Sequence, residues 1–428
     1  YIPFKYRPGI GKSYSVQLKS IIEFEKLQIS EKKEFIFQKF YPIFQHAFEN
    51  ISFYRRLYTN AGIKLNQINS FEDISKLPII SKNDLREVLL EERSFPVKGR
   101  TLVNTGGSSG KPLAFYMDPN RFGNEWAHIH YMWSKLGYSP SKLKLNFDGR
   151  STVKNKIQYD FVRHSLRYDI YADPKSVNAV LLKIARKHKI FYLHGYPSAI
   201  YNFAISCQGE SPELLEILRE TLRGAFLVSE FPNPKFRNKI SEIFGIPTQS
   251  FYGHTETCVM AYEKQAAFNF YAFQTYGFAE AIELTPGKST LIGTNYYNFA
   301  SPLIRYDTED GINVLEKQEG ILEEFEIKEG RNGEYIIDRS GNKVPLTGLI
   351  FGRHHKIFEF AKHVQVYQDE PGLAVILFVP NKDFKDHDFK DLDLFDSSNI
   401  AITFSFKQID NPVLTQSGKI NLLVQNVI

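Results

Sequence analysis

The sequence predicts a layered α/β protein: a large multi-layer α/β amino-terminal domain over residues 1–330, then a small α+β carboxy-terminal domain over 331–428. Three observations predict it. The chain has 428 residues, more than one ordinary hydrophobic core takes up. Residues 100–330 alternate short apolar runs with helical patterns, as expected where helices are layered on a sheet. Near Arg331, "KEGRNGEYIIDRSGNKVPLTGL" carries glycine turns at Gly333 and Gly341, and the strand-like runs beyond it have their own apolar set. That remainder has the size of a small domain.

The elements follow in order. Residues 1–100 are predicted mainly helical, with Phe37, Phe40, Tyr41, Phe44, Ala47 and Phe48 on one face at helical spacing. Pro42 is expected to kink that helix or start a turn. Ser81 is placed to cap the next helix, with Asp84 completing a capping box. "RTLVNTGG", "KIFYLHGYP", "GAFLVSE" and "TLIGTNYY" are predicted buried strands ending in small or polar residues. In such sheets function gathers at the carboxyl ends of strands. The longest apolar run, "LAVILFV" at 373–379, is strand-sized, so no membrane span is expected.

Composition narrows the function. Hydrophobic content of 43% and charged content of 24% are ordinary for a soluble globular protein, and 36 Phe with 24 Tyr predict an aromatic core. Cys207 and Cys258 are the two cysteines. They make neither a disulfide framework nor a multi-cysteine zinc site, and they suit a reducing compartment. The first residues, "YIPFKYRPGI", lack the apolar core of a signal peptide, so a cytoplasmic location is expected. A net charge of +5 without a basic arm or zinc-finger spacing argues against a nucleic-acid partner. The excess fits anionic small molecules, although a solvated surface explains it too.

Four segments carry candidate chemistry. "VNTGGSSGKPLAF", residues 103–115, crowds small residues ahead of a lysine. It is not a Walker loop. Thr105 stands where the first glycine belongs, and Pro112 replaces the hydroxyl that would bind magnesium. That disfavours a P-loop kinase or ATPase, and a plain turn between strands stays open. "SFYGHTETCVMA", residues 250–261, puts an aromatic face, a hydroxyl and a carboxylate close together at Tyr252, Thr255 and Glu256. Such a set could stack a purine, meet a phosphate oxygen and hold magnesium. A strand with a capped turn is the bland alternative. In "SPLIRYDTEDG", residues 301–311, Asp310 could accept hydrogen bonds from a ribose diol, or be a solvated turn acid. In "LTQSGKINLL", residues 414–423, Lys419 follows a glycine near the chain end, where a lysine ordinarily serves solubility.

In order and spacing these segments resemble the adenylate-forming superfamily of acyl-CoA synthetases and peptide-synthetase adenylation domains. Within it, the chain is similar to the phenylacetate–CoA ligase family, in particular the branch associated with capsular polysaccharide biosynthesis. The matches are "TGGSSGKPL", "HGYPSAI", "LVSE", "YGHTE", "PLIRYDTED", "EGR" at 329–331, "VQVYQ" at 364–368 and "LTQSGKI". "NISFYRRL" and "LPIISKNDLRE" match the family's amino-terminal pattern, so the resemblance covers nearly the whole chain.

The resemblance implies an adenylate-forming fold whose small carboxy-terminal domain is mobile, with ATP (released as AMP) and Mg2+ bound by the chain. Thr105, Gly106, Gly107, Ser108, Ser109, Gly110 and Lys111 would form a mobile loop around the β- and γ-phosphates. Ser229 and Glu230 would line the adenine side, and Tyr252 would stack on adenine beside Gly253 and His254. Thr255 would approach the α-phosphate, and Glu256 would hold magnesium. Asp310 would bind the ribose hydroxyls with Arg331 nearby. Lys419 would arrive from the small domain at the reacting centre. Tyr196, Pro197, Val259 and Met260 would line the acid pocket. Two departures stand out. Glu309 occupies the position of the glycine in the ribose motif, and Gly333 replaces the charged hinge residue two positions after Arg331. A glycine still rotates freely there but makes no charged contact.

The implied chemistry is attack of a small carboxylic acid on the α-phosphorus of ATP, release of pyrophosphate, and acyl transfer to a separate acceptor. Coenzyme A is the default acceptor. An amine or hydroxyl on an amino sugar or carrier is the alternative that the capsular branch implies. A third reading is a non-catalytic nucleotide-binding relic, against which Glu256, Asp310, Arg331 and Lys419 stand together. The aromatic and apolar pocket residues suggest an apolar or aromatic acyl group, and core packing would explain them equally.

Overall fold

The computed structural model describes residues 3–7, 10–11, 13–105, 113–149, 153–230, 233–264, 266–327, 334–346, 349–350, 353, 355–380, 394–414 and 422–424. They fall into two compact units. The first holds residues 1–103, 115–140 and 249–330, and the second holds 104–114, 141–248 and 331–428.

In the first unit, helices Ser13–Phe24, Ile29–Asn50 and Ser52–Asn60 precede a sheet. The expected turn at Pro42 is not there: Ile29–Asn50 runs unbroken through it. Pro42 and Gln38 are both exposed, so the Gln38 carbonyl that loses its amide partner meets water. Ile36, Phe40, Ile43, Phe44 and Ala47 keep the buried face, and their packing outweighs the local loss. The Ser81 capping box is present. The Asp84 carboxylate accepts from Ser81 N at 2.7 Å, and Asp84 N donates to Ser81 Oγ at 3.2 Å. Helix Lys82–Arg86 therefore starts with Lys82.

The sheet of this unit runs in the order Gly277–Thr285, Lys288–Asn295, Tyr306–Gln318, Ile321–Ile327, Asn269–Ala272, Met260–Glu263, Thr248–Gly253. Every neighbour is antiparallel. The strand–helix alternation expected up to residue 330 thus stops near residue 248. Beyond it, tight turns such as that between Gly277–Thr285 and Lys288–Asn295 leave no length for crossover helices. "RTLVNTGG" also differs from expectation. Thr101–Asn104 pairs only with Ala114–Met117, and Thr101 and Leu102 are exposed.

The second unit carries the alternation. Gly224–Leu227, Tyr192–Gly195, Lys144–Phe147 and Ser165–Tyr168 lie in that order, all parallel, with Ile157–Asp160 antiparallel at the edge. Helices Pro174–Ala185, Pro197–Glu210, Pro212–Thr221 and Pro234–Phe244 each begin with proline, whose missing N–H is harmless at that position. Leu145, Phe147, Leu193, Phe203, Leu227 and Phe244 share one core. In residues 331–428, the hairpin Tyr335–Ile337/Lys343–Pro345 precedes a sheet ordered Thr403–Gln408, Leu373–Pro380, Ala361–Tyr367, Leu423–Val424. Ile336, Val366, Ile376, Phe378 and Phe395 build its core, and Tyr171 joins it. Among the described residues no helix is long and apolar enough to cross a membrane.

Candidate active site

In the first unit, strands Thr248–Gly253 and Met260–Glu263 pair with Gly253 opposite Met260. The turn between them holds His254, Thr255 and Glu256. Thr257 N bonds to His254 O at 3.1 Å, and Thr257 takes a positive φ of 58° to close the turn. Glu256 is 7% exposed. Its Oε1 accepts from the Tyr306 hydroxyl at 3.2 Å and its Oε2 faces His254 Nδ1 at 3.1 Å. Lys82 Nζ stands 4.0 Å from Oε1 and 3.9 Å from Glu309.

Burial alone would raise the Glu256 pKa. The His254 hydrogen bond and the Lys82 ammonium outweigh it and hold the carboxyl well below its ordinary range. The group is therefore an anion in a nearly dry place, with a cation at 4.0 Å rather than in contact.

The same unit brings Asp310 to the motif. The Tyr252 hydroxyl donates to Asp310 Oδ2 at 2.6 Å, and Asp310 N donates to Thr308 Oγ1 at 3.2 Å. Burial and the Asp310 charge hold the Tyr252 phenol well above its usual range. Thr255 is half-buried, Gly253 is exposed, and Val259 and Met260 are buried. Val259 N donates to His254 Nε2 at 3.1 Å. Glu309 has a φ of 62°, left-handed backbone suited to the glycine it replaces.

In the second unit, "HGYPS" turns from strand Tyr192–Gly195 into helix Pro197–Glu210. Gly195 has a φ of 142°, and a Cβ there would lie 2.3 Å from Phe147 O, so only glycine fits. The Tyr196 hydroxyl donates to Asp148 O at 3.1 Å. Glu230 accepts from Ser198 N at 3.0 Å and from Ser198 Oγ at 2.9 Å. Its carboxylate thus caps the start of a helix that lacks a side-chain cap from Tyr196. Ser229 holds a φ of 69° beside it. At the foot of the small-residue loop, Thr105 N donates to Leu113 O at 2.9 Å and Leu113 N to Thr105 Oγ1 at 3.0 Å. Gly106, Gly107, Ser108, Ser109, Gly110 and Lys111 lie outside the described residues, as do Arg331, Gly333 and Lys419.

Among the described residues no cluster of His, Cys, Asp and Glu could hold a metal by itself. Magnesium keeps waters and takes one or two carboxylates together with substrate phosphates. Glu256, ionised and with Tyr306 and His254 fixing its rotamer, fits such a single ligand.

No family model matches the chain. It is 22% identical over 413 residues to protein CapK of Staphylococcus aureus, covering 91% of this chain and 88% of that protein. It is 21% identical over 323 residues to phenylacetate-coenzyme A ligase of Pseudomonas putida, covering 70% of this chain and 71% of that protein. The fold matches a crystal structure of 2-hydroxyisobutyryl-CoA ligase in the postadenylation state, in complex with R3-HIB-AMP. The TM-score is 0.53 at 15% identity, with 100% of this chain and 95% of that chain covered. In sequence the chain is similar to phenylacetate–CoA ligase and CapK, and in fold to an adenylate-forming ligase.

Two further residues of this site show themselves only in the structure. Lys82 stands within "LPIISKNDLRE", where the sequence assigns it no role, yet it is 5% exposed and lies against Glu256. Its signal was its place. A lysine at the first residue of a helix opposes the macrodipole and needs another reason to be there. Tyr306 stands within the quoted "PLIRYDTED" but shows its role only through the fold, where its hydroxyl meets Glu256.

Proposed function

We propose that this chain activates a small carboxylic acid with ATP, forming an acyl-adenylate and pyrophosphate, and then passes the acyl group to coenzyme A. The observation that carries the reading is Glu256: a buried, ionised carboxylate bonded by His254 and Tyr306, with Lys82 at 4.0 Å, in the turn that follows Tyr252.

The acid is ionised at neutral pH, so its attack on the α-phosphorus needs no general base. The barrier is repulsion between anions and charge growing on the departing pyrophosphate. Positioning and electrostatic stabilisation answer both. Glu256 would hold magnesium, which neutralises phosphate charge when bound. Tyr252 would stack on adenine and Asp310 would take the ribose hydroxyls, with Gly253 and His254 beside them. Thr255 would approach the α-phosphate. Ser229 and Glu230 would line the adenine side, and Thr105 with residues 106–111 would follow the β- and γ-phosphates. Lys419 would stabilise the reacting centre, with Arg331 close to the ribose. Tyr196, Pro197, Val259 and Met260 would contact the acid. Residues 331–428 would move as a small domain about a point near Arg331 between the two half-reactions. The likeness of the chain to a coenzyme A ligase across 70% of its length supports the thiol acceptor. Transfer to an amino sugar or carrier is the second reading, which rests on the resemblance to the capsular branch; the likeness to CapK over 91% of the chain agrees with that resemblance.

ATP–pyrophosphate exchange, run with hydroxylamine trapping over a panel of carboxylic acids, tests the first half-reaction. One acid should give both exchange and a hydroxamate. Lys419→Ala should lower exchange by about 10²-fold, as loss of a comparable donor does. Nucleotide binding without exchange for any acid would leave only the binding-relic reading. Coenzyme A and amino sugars, compared as acceptors of the trapped acid, decide the second half-reaction. A sugar amide without a thioester would replace the coenzyme A reading.

A further inference from the structure

His254 has both ring nitrogens engaged inside its own turn. Nδ1 lies 3.1 Å from Glu256 Oε2, and Nε2 lies 3.1 Å from Val259 N. A backbone amide can only donate, so Nε2 must be the bare nitrogen. An ionised carboxylate can only accept, so Nδ1 must carry the proton. The ring is therefore a neutral imidazole in one tautomer, with no nitrogen left over for a nucleotide.

The turn that this ring spans has little room to slide. A Cβ at Gly277 would lie 2.0 Å from Cys258 O, and a Cβ at Gly293 would lie 2.5 Å from Cys258 Cβ and 2.8 Å from Val259 Cγ2. The two glycines form a notch in strands Gly277–Thr285 and Lys288–Asn295 into which Cys258 and Val259 are pressed. Asn295 Nδ2 adds a contact to Glu256 O at 3.5 Å. With the backbone wedged, the imidazole is the strut between the Glu256 carboxylate and the amide at the head of strand Met260–Glu263.

We propose that His254 is a positioning residue that couples occupancy of Glu256 by a divalent cation to the wall of the acid pocket at Val259 and Met260. The proposal rests on the assignment of Glu256 to magnesium and of Val259 to the acid made above. Glu256 would re-aim its carboxylate on holding a cation. The ring follows through Nδ1–H, and the bond at Nε2 carries the shift to Val259. Magnesium and acid then bind with mutual reinforcement, because a coupling between two sites is reciprocal.

Two substitutions dissect the strut. His254→Asn places an amide where Nδ1 was and keeps the Glu256 contact alone. His254→Gln reaches where Nε2 was and keeps the Val259 contact alone. In the full chain labelled with 15N-valine and 15N-histidine and saturated with ATP, magnesium chloride added without any acid should shift the Val259 amide resonance. Neither variant should show that shift. One histidine should display a protonated Nδ1 and a bare Nε2, and it should vanish in both variants. In exchange assays, His254→Asn should raise KM for the acid about fivefold, as loss of one hydrogen bond does, with the magnesium midpoint kept. His254→Gln should do the reverse. A Val259 shift that survives in both variants, or a protonated Nε2, overturns the proposal. So does an equal rise of acid KM and magnesium midpoint in both variants. The resonance measurements need no turnover, so failure to find an acid would count against the ligase reading and leave the strut decided on its own.

Discussion

Two buried carboxylates in the first unit, Glu256 and Glu280, are each 7% or less exposed and face a cation, yet they are held in opposite ways. Glu280 is gripped by Arg305 through two bonds, Nε to Oε2 and Nη2 to Oε1, both 3.1 Å. Arg305 also donates to the carbonyls of Ser75 and Leu77. That pair is closed, and it ties strand Gly277–Thr285 to the chain leading into helix Lys82–Arg86. Glu256 has Lys82 only at 4.0 Å, one hydroxyl and one imidazole. Burial of a carboxylate therefore does not mark function by itself. The difference lies in charge: a bidentate guanidinium in contact neutralises the carboxylate and covers one edge of it, whereas an ammonium at 4.0 Å and two uncharged donors leave Glu256 a net anion that a hard cation can still approach.

The comparison breaks first at Arg305. Arg305→Ala should destabilise the protein by about 3–5 kcal/mol, because it strands the Glu280 charge in the interior. Lys82→Ala should barely move the unfolding transition, since Glu256 keeps its two donors, but should slow adenylation. Equal effects of the two on chemical denaturation would end the distinction. Next in size is Glu256→Gln. It keeps shape and removes charge, so the fold should persist while exchange falls about 10²-fold and the magnesium midpoint rises. An unchanged midpoint would return Glu256 to the role of a turn residue.

Much of this site was legible because its motif is local. Tyr252 to Met260 form one strand end, one turn and one strand start, so residues adjacent in sequence meet in space. Asp310 was legible too, though its link to Tyr252 spans a sheet. What stayed hidden depends on long-range register. Tyr306 reaches Glu256 only through the antiparallel order of the strands. Glu230 caps a helix that starts at Pro197, and no local pattern announces a cap from so far along the chain. The antiparallel meander after residue 248 is not distinguishable in sequence from alternating α/β, since buried strands of either sort show the same short apolar runs. At Pro42 the local cost shows in the sequence, whereas the packing that carries the helix through it does not.

The two carboxylates should also titrate with opposite signs. The folded pKa of Glu256 lies well below its ordinary 4.5. The unfolded chain binds more protons there, so Glu256 adds stability above about pH 4.5 that is lost as pH falls through the folded value. The folded pKa of Glu280 is raised, burial exceeding the pull of Arg305. Its contribution is fullest at low pH and declines as pH rises through 4.5 and above. Each group can tilt the stability curve by at most about 1.4 kcal/mol per pH unit. Glu256→Gln should flatten the acid side of a plot of Tm against pH, and Glu280→Gln should steepen it. The same change of slope in both variants would mean that the two environments are not distinct.

The smallest effect concerns Glu309, which reaches Lys82 at 3.9 Å from a backbone with φ of 62°. A left-handed non-glycine residue costs about 1–2 kcal/mol, and glycine removes that cost while returning about 0.4–1 kcal/mol of unfolded-state entropy. The half-exposed ion pair with Lys82 adds under about 1 kcal/mol. Glu309→Gly should therefore leave stability within about 1 kcal/mol of the parent, whereas Glu309→Ala keeps the strain, loses the pair and should be the less stable of the two. Both variants leave Glu256 as the carboxylate beside Lys82, so the ammonium should settle closer to Glu256 and compete with magnesium. The magnesium midpoint should then rise equally in the two variants while their unfolding midpoints separate. That separation sharpens the contrast with Arg305, where charge and fold are lost together. If alanine proves as stable as glycine, the backbone at 309 carries no strain. If the midpoints of magnesium activation stay at the parent value, Glu309 has no part in holding Lys82 away from Glu256.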